Sequence, residues 1–118
     1  MKYISNTTSP IRKNLGVNNM NATNVVSLNF KSKEAMKQFL RMYNDESPRL
    51  FPDAKILMMI KITETNCLGI SVYPDTHSRD KSRKFAEDQI LRKLSDLFEE
   101  DFRLTGEVVV HHLGKFTN

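Results

Sequence analysis

Two adjacent histidines, His111 and His112, stand near the end of the chain. Histidine is the side chain whose ordinary pKa lies nearest neutrality, so each is a candidate proton carrier. Neighbours on a strand point to opposite faces, which prevents the pair from holding one metal ion together. In the strand expected there, His112 faces the helices as a core or edge residue. His111 faces away from them, where it can serve as a general acid or base. Asn29, Ser71 and Tyr73 alternate onto that same face and offer an amide, a hydroxyl and a phenol to a ligand. Lys61 and Met59 share it; a lysine there either meets a ligand or snorkels at the sheet margin. Catalytic work is therefore expected of His111, and ligand binding of Ser71, Tyr73, Lys61 and Met59. His77 falls in a polar loop, and no spacing of His, Cys and carboxylates matches a zinc site, so no metal or cofactor is expected. Cys67 has no histidine nearby in sequence to activate it and reads as structural.

These positions depend on the elements that carry them. Val26, Leu28 and Phe30 alternate with Val25, Ser27 and Asn29, which predicts a strand over 24–30. Ser32 is a good helix cap, and Met36, Phe39, Leu40 and Tyr43 follow at helical spacing. That helix is expected to fade at Ser47-Pro48, because the residue before proline avoids the helical region. Ile56, Met58, Ile60 and Ile62, then Leu68, Ile70 and Val72, flank the turn Glu64-Thr65-Asn66 and predict a hairpin. These richer apolar rows are expected to meet the helices, leaving Leu57, Met59, Lys61, Gly69, Ser71 and Tyr73 on the other face.

From about Lys81 to Phe102, the stripe Ala86, Ile90, Leu94 and Leu97 predicts a long second helix. Gly106 punctuates, and 107–113 is expected as the last strand. Arg79, Lys81, Arg83 and Lys84 then crowd the start of this helix and Glu99, Glu100 and Asp101 its end, against the helix dipole. The basic group reads as a solvated face, as a phosphate or carboxylate site, or as one half of a pairing across a dimer. The order β-α-β-β-α-β predicts an α+β domain with two helices on one face of a four-stranded antiparallel sheet.

A chain of 118 residues has room for one domain. Residues 1–23 are polar and asparagine-rich and read as a flexible N-terminal tail; 24–118 form the domain. The net charge is +4, of which +3 belongs to Lys2, Arg12 and Lys13 in the tail. A near-neutral domain is a poor counterion-release surface, so nucleic acid is not the expected partner, although binding through the basic tail stays an alternative. No apolar run approaches the roughly 18 residues of a membrane span, and the first 24 residues carry no secretory apolar region. A single cysteine excludes an internal disulfide and fits a reducing, cytoplasmic setting.

The expected outer sheet face, with Val25, Leu57, Met59 and Val109 beside its polar residues, is too apolar to stand bare. A second copy related by a two-fold axis is the usual cover. In element order and in phrasing such as Gly69-Ile70-Ser71-Val72-Tyr73-Pro74, residues 24–113 resemble the dimeric α/β-barrel superfamily, especially its antibiotic biosynthesis monooxygenase-like group. That resemblance implies a ferredoxin-like protomer, a homodimer with facing sheets and a small-molecule site in each protomer. It also implies a candidate cofactor-independent oxygenase. Oxygenases of the group often rely on a tryptophan and an asparagine; this chain has no tryptophan, and the resemblance implies a catalytic role for Asn29, the asparagine carried over. A non-catalytic assembly module is the alternative from another class. The RNA-recognition motif shares the element order but needs exposed aromatics on its central strands; Val25, Ser27 and Asn29 supply none.

Overall fold

The computed structural model describes residues 21–114. Strand β1 spans Ala22–Phe30, helix α1 Lys33–Leu50, β2 Ile56–Thr63, β3 Asn66–Tyr73, helix α2 Thr76–Ala86 and β4 Phe98–Glu107. The sheet order is β2-β3-β1-β4, with every pair antiparallel. This is the ferredoxin-like α+β arrangement expected from the β-α-β-β-α-β order. The tail expected over 1–23 falls outside the described residues up to 20, while Ala22 and Thr23 already belong to β1.

Each early element follows from its local chemistry. Ser32 Oγ accepts the Ala35 amide at 3.0 Å and caps α1, an interaction of about 1 kcal/mol. The helix carries on through Pro48 to Leu50 instead of fading at Ser47. Proline costs one intrahelical bond. The last turn is nevertheless held by buried Ser47 and Leu50 and closed by the Phe51 amide, which donates to the Ser47 carbonyl at 2.8 Å. Phe39 then packs against three rings. Its centroid lies 5.2 Å from that of Phe30, 5.3 Å from Phe98 and 5.9 Å from Tyr43.

The second helix departs most from expectation. It starts five residues early, where the Asp75 carboxylate accepts the Ser78 amide at 2.7 Å. It does not run on to Phe102. A π-helical turn, Glu87–Leu91, follows it, and the chain has become β4 by Phe98. Apolar spacing continues in helical phase through Leu94, Leu97 and Phe98, but Phe98 packs on Phe30 at 5.6 Å as a strand residue. Pairing along the full length of β1 outweighs local helical periodicity here. The expected strand 107–113 therefore lies about nine residues too late, and 108–113 belong to no strand. Arg83 and Lys84 now sit in the last turn of α2, where they agree with the helix dipole, and Glu99, Glu100 and Asp101 sit in β4.

Cross-strand partners share a face, so the register assigns both sides of the sheet. On the helix-covered side lie Asn24, Val26, Leu28, Cys67, Gly69, Ser71, Tyr73, Leu57 and Met59, with Phe98, Glu100 and Arg103 of β4. The core cluster of Leu28, Phe30, Met36, Phe39, Cys67 and Phe98 confirms it. β1 faces as expected. The hairpin is inverted, because Ile56, Met58, Ile60, Leu68, Ile70 and Val72 lie on the open side with Val25, Phe102 and Leu104. A bulge at Ser27/Leu28, opposite Asp101, keeps Glu100 on the covered side.

Candidate functional site

Between the covered sheet face and the two helices is a cavity of about 80 Å³. Val26, Leu28, Phe39, Phe51 and Met59 form its apolar walls. Polar groups enter from five elements: Asn24 from β1, Tyr43 from α1, Ser71 and Tyr73 from β3, and Arg83 from α2 with Glu100 of β4 opposite. An apolar chamber with a few converging polar groups is the usual form of a small-molecule site.

The polar groups are held in place. Tyr73 is 1% exposed and lies within hydrogen-bonding reach of Ser71 and of buried Ser82 on α2. Burial pushes its phenol up from the ordinary value, against the lowering effect of those two hydroxyls. Tyr43 is pushed up to about 12, chiefly by burial and secondarily by Tyr73. Both phenols thus remain protonated at neutral pH and can donate to a ligand oxygen. Asn24 is buried, and its Oδ1 accepts from Arg103 Nη1 at 2.9 Å. Arg83 bridges Glu87 at 3.0 Å and Glu100 at 2.9 Å, which fixes a planar donor and a carboxylate at the cavity wall.

Gly69 and Met59 set the size of the chamber. A Cβ on Gly69 would stand 3.1 Å from Met59 Cε and 3.1 Å from Val26 Cγ2. The bare glycine is therefore the floor over which the methionine lies. An unbranched thioether changes rotamer easily, so Met59 is the wall that can give way.

Of the expected site residues, Ser71, Tyr73 and Met59 come together, though beneath the helices and not on the outer face. The other three stand elsewhere. Asn29 is on the open face, and its Oδ1 accepts from Asn66 Nδ2 at 2.6 Å, a bond that pins the β2–β3 hairpin to β1. Lys61 is exposed and pairs with Glu64 at 3.3 Å beside the turn, the sheet-margin alternative. His111 is exposed in the segment beyond β4, so the opposed-face argument for it and His112 does not apply. Cys67 is buried in the core, and burial raises its thiol, as befits a structural residue. Asn24, Tyr43 and Glu100 are not among the expected site residues, and Arg83 is expected only within the basic group offered to a phosphate or carboxylate. Tyr43 carried a signal, a polar-tipped ring on an apolar helical stripe, whereas Glu100 had none while it was placed in a helix.

No protein-family model matches the chain, and no curated protein does. Solved structures do match. One is a dimeric ferredoxin-like protein from an uncultured marine organism, at 18% identity and TM-score 0.62, covering 79% of this chain and 98% of that one. A protein of unknown function from Nitrosomonas europaea matches at 13% identity and TM-score 0.66, over 81% and 96% of the two chains. A putative antibiotic biosynthesis monooxygenase from Chloroflexus aurantiacus matches at 11% identity and TM-score 0.61, over 78% and 96%. These likenesses show that this chain has a ferredoxin-like fold.

Proposed function

We propose that this chain is a homodimeric small-molecule-binding protein that takes a compact, largely apolar ligand bearing a hydrogen-bonding oxygen, such as a phenol. The observation that carries the reading is the convergence of two neutral phenols and a buried amide on a cavity with mainly apolar walls and the Arg83–Glu100 pair at one side. An apolar ring would meet Phe39, Phe51 and Leu28, while its oxygen would accept from Tyr73 or Tyr43. The homodimer is supported by the uncovered apolar sheet face and by neighbours described as dimeric. A structural neighbour described as a putative antibiotic biosynthesis monooxygenase makes oxygenation the finer version of the same reading.

The test is titration calorimetry with phenol and with toluene, its isostere without the oxygen. Phenol should bind saturably and more tightly than toluene. Tyr73→Phe should weaken phenol by about five- to tenfold, one hydrogen bond's worth, and leave toluene unchanged. No binding of either ring at millimolar concentration would overturn the reading. Oxygen uptake on mixing with an electron-rich phenol separates an oxygenase from a protein that only binds. One observation favours an assembly module instead: about 80 Å³ is less than the roughly 150 Å³ of a cavity known to hold benzene. Ligand entry thus requires Met59 to move, and Met59→Ala should bind toluene more tightly than the native chain if the chamber is a ligand site.

A further inference from the structure

A second, more open cavity adjoins the chamber at Met59. It is a groove of about 300 Å³ between α1 and β2, lined by Leu40, Tyr43, Asn44, Ser47, Leu57 and Met59. Tyr43 and Met59 line both spaces, so these two side chains form the partition between them. The groove's other polar groups come from a single turn of α1. Ser47 is 6% exposed, and its hydroxyl has no hydrogen-bond partner among the described residues. The other buried polar side chains each have one: Asn24 has Arg103, Ser27 has Asn66 and Ser82 has Tyr73. A buried hydroxyl without a partner carries a desolvation cost that a ligand's hydrogen bond would offset. Pro48 opens a second position. It has no amide hydrogen, so the Asn44 carbonyl, four residues back, lacks the donor that an α-helix normally supplies. Among the described residues, no charged side chain lines the groove.

We propose that this groove is a second subsite for the same ligand, one that takes a tail ending in a neutral hydroxyl and holds it on Ser47 and the Asn44 carbonyl. A hydroxyl both gives and takes a hydrogen bond, so it can donate to the carbonyl and accept from the serine. A carboxylate cannot donate, and it would face the carbonyl with no cation beside it. The ligand is then a para-substituted phenol, with its ring in the chamber and its tail passing Met59 between Leu40 and Leu57. Met59 is unbranched and can turn aside to lie along such a tail. With Met59 aside, the chamber opens into the groove, and the ligand is no longer confined to about 80 Å³. The inference rests on the ligand-site reading above and names the second half of the ligand.

The experiment titrates three probes into the full chain, Ser47→Ala and Pro48→Ala by calorimetry. The probes are phenol, para-propylphenol and the same propylphenol with a hydroxyl at the chain end. Both variants should fold: Ser47→Ala loses no side-chain bond, and Pro48→Ala returns a helical amide, so neither should lower the thermal midpoint. In the native chain the hydroxylated probe should bind about five- to tenfold more tightly than para-propylphenol. Ser47→Ala should abolish that gain. Pro48→Ala should reduce it while raising the thermal midpoint, because the restored amide competes for the Asn44 carbonyl. Phenol should bind all three chains alike. If phenol binds saturably and the hydroxylated probe gains nothing over para-propylphenol, the groove is overturned and the chamber stands. A gain that survives Ser47→Ala, or a loss there shared equally by all three probes, also overturns the groove. No binding of any probe at millimolar concentration overturns both readings.

Discussion

The two faces of this sheet carry the opposite of what their positions would first suggest. The covered face, under α1 and α2, holds Asn24, Ser71, Tyr73 and Glu100, the last paired with Arg83 of α2, among its apolar residues. The open face holds Met58, Ile60, Phe102 and Leu104, the last three 36%, 44% and 58% exposed. A protomer built only for its own stability would reverse this, since burying a polar group costs free energy unless it is paired and exposing apolar area forfeits a gain. Each covered polar group is held by a partner: Asn24 by Arg103, Tyr73 by Ser71 and Ser82, and Arg83 by two carboxylates. On the reading proposed above, the covered face serves a ligand as well as a core, and the open face serves a second copy.

The largest effect should come from the covered face. Phe39→Ala removes the ring at the centre of the aromatic cluster and should cost about 3–5 kcal/mol in urea unfolding. A loss below about 1 kcal/mol would mean the helices rest on the sheet elsewhere. On the open face, Met58→Lys should leave protomer stability within about 0.5 kcal/mol, as surface changes usually do. It should weaken the proposed dimer about a hundredfold, or about 2.7 kcal/mol, by light scattering. Equal losses from both substitutions would erase the distinction between the faces.

The smallest effect is a pH dependence. Tyr43 is held near 12 in the folded chain against an ordinary 10.0. Between those values the unfolded chain has released the proton and the folded chain has not, so stability falls as pH rises. The contribution is fully present below about pH 10 and is lost towards pH 12, amounting to at most about 2 kcal/mol after allowance for its partial exposure. The difference between the native chain and Tyr43→Phe in denaturant titrations at pH 8, 10 and 11 isolates it. A parallel pair of curves would show Tyr43 to be solvated and the cavity open at that end.

Some of this organisation was legible. Val26, Leu28 and Phe30 faced the helices as their alternation predicted, because the opposite row, Val25, Ser27 and Asn29, is clearly more polar. The hairpin failed by the same rule. Leu68, Ile70 and Val72 outrank Cys67, Gly69, Ser71 and Tyr73 in apolarity, yet they lie outside. Ranking by apolarity presumes that a chain buries its most apolar row within itself. Ser71, Tyr73 and Met59 were still recovered as neighbours, since a face inverted as a unit keeps its members together. Asn29 was lost because β1 did not invert with the hairpin, Lys61 because it sits beside the turn and pairs with Glu64, and His111 with the misplaced strand.

The sequence alone determined what depends on near neighbours: the alternation of β1, β2 and β3, the Ser32 cap and stripe of α1, and the β-α-β-β-α-β order. Only the tertiary structure decided where α2 stops, that 98–107 is the strand beside β1, and which side of the hairpin lies under the helices. Periodicity records that a segment has two faces. The choice between them is made by contacts from distant elements, as when Phe39 of α1 and Phe98 of β4 close on Phe30 and bring Tyr43, Tyr73 and Arg83 around one cavity.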